Sequence, residues 1–140
     1  MNVLFIEDNE AEQLIMKEAF KAANIQCSLS IVKNGVEALD FLRRQGQFQA
    51  AVKPHLIILD LSLPRKNGKE VLMDIKGDPK LTHIPILVFS NSESQRDICE
   101  CYSLHINAYI NKPSDFQGFI DFAHVIDIFW FKLVRYCSHP

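Results

Sequence analysis

The stretch Leu56-Ile57-Ile58-Leu59-Asp60, followed by Leu61-Ser62-Leu63-Pro64 and then by Asn67-Gly68, decides how the rest of the chain is read. Four apolar residues run without alternation into one aspartate, and a turn follows at once. Such a run suits a strand buried on both faces, as in the middle of a parallel sheet. Asp60 then stands where the strand leaves the core, at its C-terminal end. In open α/β sheets, ligands and chemistry gather at that edge. The expectation is a nucleophile that accepts a phosphoryl group.

The flanking sequence has the same construction. Residues 2–6 form a short apolar run, and residues 84–90 are continuously apolar apart from Pro85, near the start, where a missing N–H is tolerable. Residues 27–32 alternate, and residues 107–110 are short and more polar, so both suit sheet edges. Between these strands lie capping-box patterns at Asn9/Glu12, Asn34/Glu37, Asn67/Glu70, Ser92/Gln95 and Ser114/Gln117, which predict five helix starts. Gly77-Asp78-Pro79 ends the third helix. Alternating strands and helices predict an α/β fold: a doubly wound, five-stranded parallel sheet of order 2-1-3-4-5, flavodoxin-like, with right-handed crossovers.

At 140 residues the chain has room for one sizeable core, and we expect a single domain over 1–140 with no effector domain. A net charge of −2 with scattered Lys and Arg offers no footprint for nucleic acid or an anionic membrane. The Val3–Ile6 run is too short for a signal peptide, and no apolar segment reaches transmembrane length, so a cytoplasmic protein is expected. Cys99 and Cys101, two apart on a predicted helix, point to different faces and cannot chelate together. The four cysteines are read as reduced thiols, and the five histidines (55, 83, 105, 124 and 139) show no ligand spacing.

The predicted topology brings specific side chains to one edge. Strand one ends in Glu7-Asp8, strand three in Asp60, strand four in Ser90-Asn91, and strand five is followed by Asn111-Lys112-Pro113. Three neighbouring carboxylates repel one another unless a cation sits among them. Oxygen donors open to water suit Mg²⁺ better than zinc. Mg²⁺ and Lys112 together neutralise the charge on phosphoryl oxygens, and Ser90 can donate to one of them. Taken singly, Glu7 and Asp8 read equally well as solvated acids opening a helix, Lys112 as a surface lysine, and Ser90 as a strand-end hydroxyl. Their joint placement at four strand ends is what packing alone does not explain.

Phe5-Ile6-Glu7-Asp8-Asn9, Leu59 to Pro64 with Gly68, Val88-Phe89-Ser90 and Tyr109-Ile110-Asn111-Lys112-Pro113 resemble the motifs of response-regulator receiver domains, over nearly the whole chain. The resemblance implies that a partner sensor histidine kinase phosphorylates Asp60. It implies that Asp8, Asp60 and the Ser62 carbonyl bind Mg²⁺ directly and that Glu7 acts through water. It further implies that Ser90 follows the phosphoryl group, that Tyr109 turns inward with it, and that the Lys112–Pro113 bond is cis. One departure is Asn91, where small residues are common; it bears on access of the phosphodonor to Asp60.

The C-terminal part, from about 114 to 136, is expected to be one long helix. Phe116, Phe119, Ile120, Ala123, Ile126, Trp130 and Val134 make a face for the sheet, and Phe122, Val125, Phe129 and Leu133 a second apolar stripe beside it. The second stripe is expected to form a homodimer interface. This region resembles that of single-domain receivers partnered with phytochrome-type histidine kinases. The output is then a protein contact or a phosphorelay step with a downstream protein. A Mg²⁺-dependent hydrolase with an aspartyl-phosphate intermediate is the alternative, but such enzymes carry an acid two residues after the nucleophile, where this chain has Ser62. A flavodoxin-like cofactor binder lacks its Ser/Thr/Gly-rich phosphate loop after strand one.

Overall fold

A computed structural model describes residues 1–137; His139, which the sequence analysis assigns no role, lies outside the described residues. Five strands, β1 (Asn2–Ile6), β2 (Ser28–Val32), β3 (Leu56–Leu59), β4 (Ile86–Ser90) and β5 (Ala108–Asn111), form one parallel sheet in the order β2-β1-β3-β4-β5. The order and the two edge strands are those expected from the apolar pattern. Helices α1 (Glu10–Ala22), α2 (Gly35–Arg43), α3 (Gly68–Lys76), α4 (Gln95–Ser103) and α5 (Phe116–Val125) cover the two faces. Among the described residues, no helix is long and apolar enough to cross a membrane.

The inner strands divide their side chains between two cores by simple alternation. Leu4, Ile6, Ile57, Leu59, Ile86 and Val88 face α2 and α3, meeting Leu39, Leu42, Leu72 and Ile75. Val3, Phe5, Leu56, Ile58, Leu87 and Phe89 face α1 and α5, meeting Met16, Phe20, Phe119 and Phe122. The uninterrupted run at 56–59 therefore feeds both layers, and all four residues are fully buried. Register places Ile6 beside Leu59 and Leu59 beside Val88, so the residues just past those positions emerge together at one edge.

At three predicted starts the Asn cap forms, the side chains of Asn9, Asn34 and Asn67 accepting from the N–H groups of Glu12, Glu37 and Glu70, but the reciprocal bond of a capping box is made only at Asn67/Glu70. The last two helices begin elsewhere. Ser94, not Ser92, caps α4, and Asp115, not Ser114, caps α5. Ser92 is engaged differently, its hydroxyl donating to Asp97 Oδ2 at 2.6 Å. The Asp115 carboxylate accepts from Gly118 N–H at 2.8 Å and also suits the positive end of the helix.

The expected single C-terminal helix is corrected more deeply. After Val125 the chain widens into a π-helical segment, Ile126–Leu133, closed by Val134 N–H donating to Phe129 O at 2.9 Å. An i→i+5 turn shifts the side-chain stripes relative to an α-helical wheel. Phe122, assigned to the interface stripe, belongs instead to the core, stacked on Phe89 with ring centroids 4.7 Å apart. Phe116, assigned to the buried face, is 45% exposed. The Lys112–Pro113 peptide is trans, as are all peptides among the described residues, in place of the expected cis form; trans remains the ground state of X–Pro bonds.

Phe122→Ala is expected to cost about 3–5 kcal/mol in a urea titration, as for a buried ring whose space does not collapse. Phe116→Ala should stay within about 0.5 kcal/mol, as for an exposed position.

Candidate functional site

Backbone hydrogen bonds continue past the strand ends and hold the site's residues in place. Glu7 N–H donates to Val32 O at 3.0 Å, Asp60 N–H to Ile6 O at 3.1 Å, and Lys112 N–H to Ser90 O at 2.9 Å. The loop after Asp60 folds closely onto the start of α3. A Cβ at Gly68 would lie 2.5 Å from Asp60 O and from Leu61 Cα, so only glycine allows that approach.

The edge gathers Glu7, Asp8 and Asp60, with one ligand oxygen from each lying within 4.8 Å of the others. Glu7 and Asp60 are buried and Asp8 is exposed, so the cluster is open to solvent on one side. Lys112 reaches in from the end of β5. Its Nζ lies 2.9 Å from Glu7 Oε1, 2.6 Å from Glu12 Oε2 and 3.6 Å from Asp60 Oδ2. Asp60 Oδ1 accepts from Ser62 N–H at 3.3 Å, and Glu7 Oε2 from Asn9 N–H at 3.3 Å.

Four carboxylates and one ammonium leave the site over-supplied with negative charge. Burial pushes the Glu7 carboxyl up to about 8, helped by its hydrogen bond with Glu12 and by Asp60, against the pull of Lys112. Burial also raises Asp60, outweighing Lys112 and the Ser62 N–H. Glu12 is itself desolvated, yet its bonds to Glu7 and Lys112 hold it below the usual range. For Lys112, burial is likewise overcome by Glu12, Glu7 and Asp60, which raise its pKa. Burial and the crowding of carboxylates thus favour the neutral form of Glu7, and a divalent cation at this edge would relieve the same excess of negative charge. Oxygen-only donors, partly open to water, fit such a cation.

Ser90 is buried at the end of β4, its hydroxyl accepting from Ser92 N–H at 3.1 Å. Tyr109 is half-buried on β5 and donates its hydroxyl to Ser92 O at 2.8 Å, so it ties β5 to the β4–α4 loop. The predicted interface residues Val125, Phe129 and Leu133 are 58%, 48% and 66% exposed and stand apart from this edge. Glu12 is the residue that the sequence reading missed. It was read only as the third residue of a cap, although its place on the first turn after Glu7-Asp8 aims it at the same edge.

The chain matches the family described as the response regulator receiver domain over residues 3–123. It belongs to the response regulator receiver family. Response regulator Rcp1 of Synechocystis sp. is 36% identical over 132 residues, covering 94% of this chain and 90% of that protein. The phosphorylated cyanobacterial phytochrome response regulator RcpA superposes with a TM-score of 0.91 at 36% identity, covering 98% of both chains. The Mn²⁺-bound form of Rcp1 superposes with a TM-score of 0.88 at 34% identity, covering 98% of this chain and 99% of that one. Receivers are signalling switches, and an acidic pocket for a divalent cation is part of their make-up; in this receiver the cluster of Glu7, Asp8 and Asp60 fits such a cation.

The raised Glu7 carboxyl fixes the sign of a pH effect. Between its ordinary 4.5 and about 8, the folded state binds a proton that the unfolded state releases. Without a divalent cation, that contribution to stability is present at low pH and is lost as pH rises through about 8. Calorimetric titration with Mn²⁺ between pH 6 and 8 should show proton release and an affinity that climbs with pH. Equal affinity across that range, with no proton released, would contradict the assignment.

Proposed function

We propose that this receiver is one phosphorylation switch running through the C-terminal segment, with Asp60 as phosphoacceptor and a sensor histidine kinase as donor. The observation that carries the reading is the convergence of Asp60, Glu7 and Asp8 with the buried Lys112 ammonium at one strand edge. An Asp60 oxygen attacks phosphorus as the P–N bond to the kinase histidine breaks, and the imidazole, already protonated on its other ring nitrogen, leaves as the neutral ring. Lys112 opposes the charge on the phosphoryl oxygens, and the Ser90 hydroxyl turns to donate to one of them. Asp8, Asp60 and the Ser62 carbonyl would hold Mg²⁺ directly and Glu7 through water, and the cation would supply further charge neutralisation. Once Ser90 leaves Ser92, the Tyr109 bond to the same loop is released and the ring moves inward. The likeness to RcpA, a phytochrome response regulator by its description, supports a phytochrome-type kinase as partner.

The output follows as a protein contact or a relay to a further phosphotransfer protein. Val125, Ile128, Phe129 and Leu133 place a row of exposed apolar side chains on the C-terminal segment, which supports a homodimer through that surface.

Intact mass after incubation with a small phosphodonor should show one added phosphoryl group on the wild type with Mg²⁺ and none on Asp60→Asn. A stable gain on the variant, or none on the wild type, would sink the reading. Sedimentation should give a dimer that Phe129→Glu with Leu133→Glu dissociates; monomer alone, both unmodified and phosphorylated, would refute the interface.

A further inference from the structure

Lys112 is a nearly buried cation facing more acids than one ammonium can serve. Its shortest ion pair, 2.6 Å, is with Glu12, and its longest, 3.6 Å, is with Asp60, too long for a hydrogen bond. Glu12 stands outside the group that can share a cation, which comprises Glu7, Asp8 and Asp60. Its position is nonetheless fixed. Its N–H donates to the Asn9 cap at 3.0 Å, and the next residue, Gln13, donates Nε2 to Glu7 O at 2.6 Å. The first turn of α1 is thereby fastened to the end of β1. The Glu12 side chain is 24% exposed and that of Lys112 5%, so the pair is shielded from water mainly on the lysine side.

We propose that Glu12 is a positioning residue that competes with Asp60 for the Lys112 ammonium. Before transfer, it holds the lysine back and leaves an Asp60 oxygen free to attack. After transfer, each contact between Lys112 and the phosphoryl group has to be made against the pull of Glu12, which shortens the phosphorylated state. The proposal rests on Asp60 being the phosphoacceptor. It also makes a prediction of sign: the charge on Glu12 favours a metal cation in the site and disfavours a phosphoryl anion there.

The test uses beryllofluoride, a phosphoryl mimic, titrated into the full chain at saturating Mg²⁺, alongside Mg²⁺ alone. Glu12→Gln keeps an acceptor on the same helix position and removes the charge. It should bind beryllofluoride roughly three- to tenfold tighter and Mg²⁺ more weakly, the size expected of a partly buried ion pair. Glu12→Asp, which keeps the charge, should lie between the two. In a Lys112→Met background, the gain in beryllofluoride affinity should vanish, because the effect is carried by the lysine. Weaker binding of both ligands would mark simple destabilisation of α1 and overturn the proposal, as would a gain that persists without Lys112. No beryllofluoride binding by the wild type would overturn the phosphoacceptor reading itself. Binding by the wild type with Glu12→Gln unchanged would overturn only the role of Glu12.

Discussion

The ammonium of Lys112 reaches from the end of β5 into a group of carboxylates supplied by β1, β3 and α1, and nearly all of its surface is withdrawn from water. A buried ammonium persists only where acids and hydrogen bonds offset its lost hydration, and the reverse holds for the buried Glu7 and Asp60. Each group makes the others tenable. The parallel sheet serves this arrangement by delivering its charged residues one step beyond fully apolar strands. The charge is thereby held at the rim of the core, open to solvent at Asp8 and partly at Glu12.

The same rim is wired to the α4 side of the fold. Ser92 O accepts from Tyr109 Oη and from Asn111 Nδ2, while the Ser92 hydroxyl donates to Asp97. Asp97 in turn receives Lys69 Nζ at 2.7 Å, from the first turn of α3. A loop directly after Ser90 is therefore held by β5, α3 and α4 at once. Ser90, through the neighbouring Ser92, is thus linked to β5 and α4 and, by way of Asp97, to α3.

The C-terminal segment divides its apolar side chains otherwise than an α-helical wheel does. On an α-helical wheel, Phe122 shares a stripe with Phe129 and Leu133. In the folded chain it stacks on Phe89, while the other two face solvent. The division begins within α5, where Val125 is already exposed, and beyond it, in the π-helical turn, Trp130 and Phe131 still lie against the core. Tyr136 then donates its hydroxyl to Trp130 O at 2.5 Å and sets its ring against His55, which brings the end of the segment back toward the start of β3.

The residues of the sheet were legible because burial on both faces leaves a mark in the sequence: continuous apolar runs at 3–6, 56–59 and 86–89 inside, broken patterns at the edges. Glu7, Asp60 and Ser90 were legible for the same reason, since each directly follows or closes such a strand, with Asp8 next to Glu7; Lys112 follows the edge strand β5 and was legible by its place at the same end of the sheet. Asparagine caps were equally plain, as they act over three residues. Contacts between elements left no such mark. The Glu12–Lys112 pair joins residues 100 apart; the place of Glu12 one turn after Glu7-Asp8 points to this edge, but nothing local to either residue names its partner. The caps at Ser94 and Asp115 are as local as the others, but neighbouring Ser92 and Ser114 offer the same chemistry; the burial of Phe122 and the exposure of Phe116 were settled by packing between elements. Strand periodicity is written by burial that each residue meets on its own. The orientation of a helix against the sheet, and a change of turn within it, are decided only when neighbouring elements compete for the same space and the same charge.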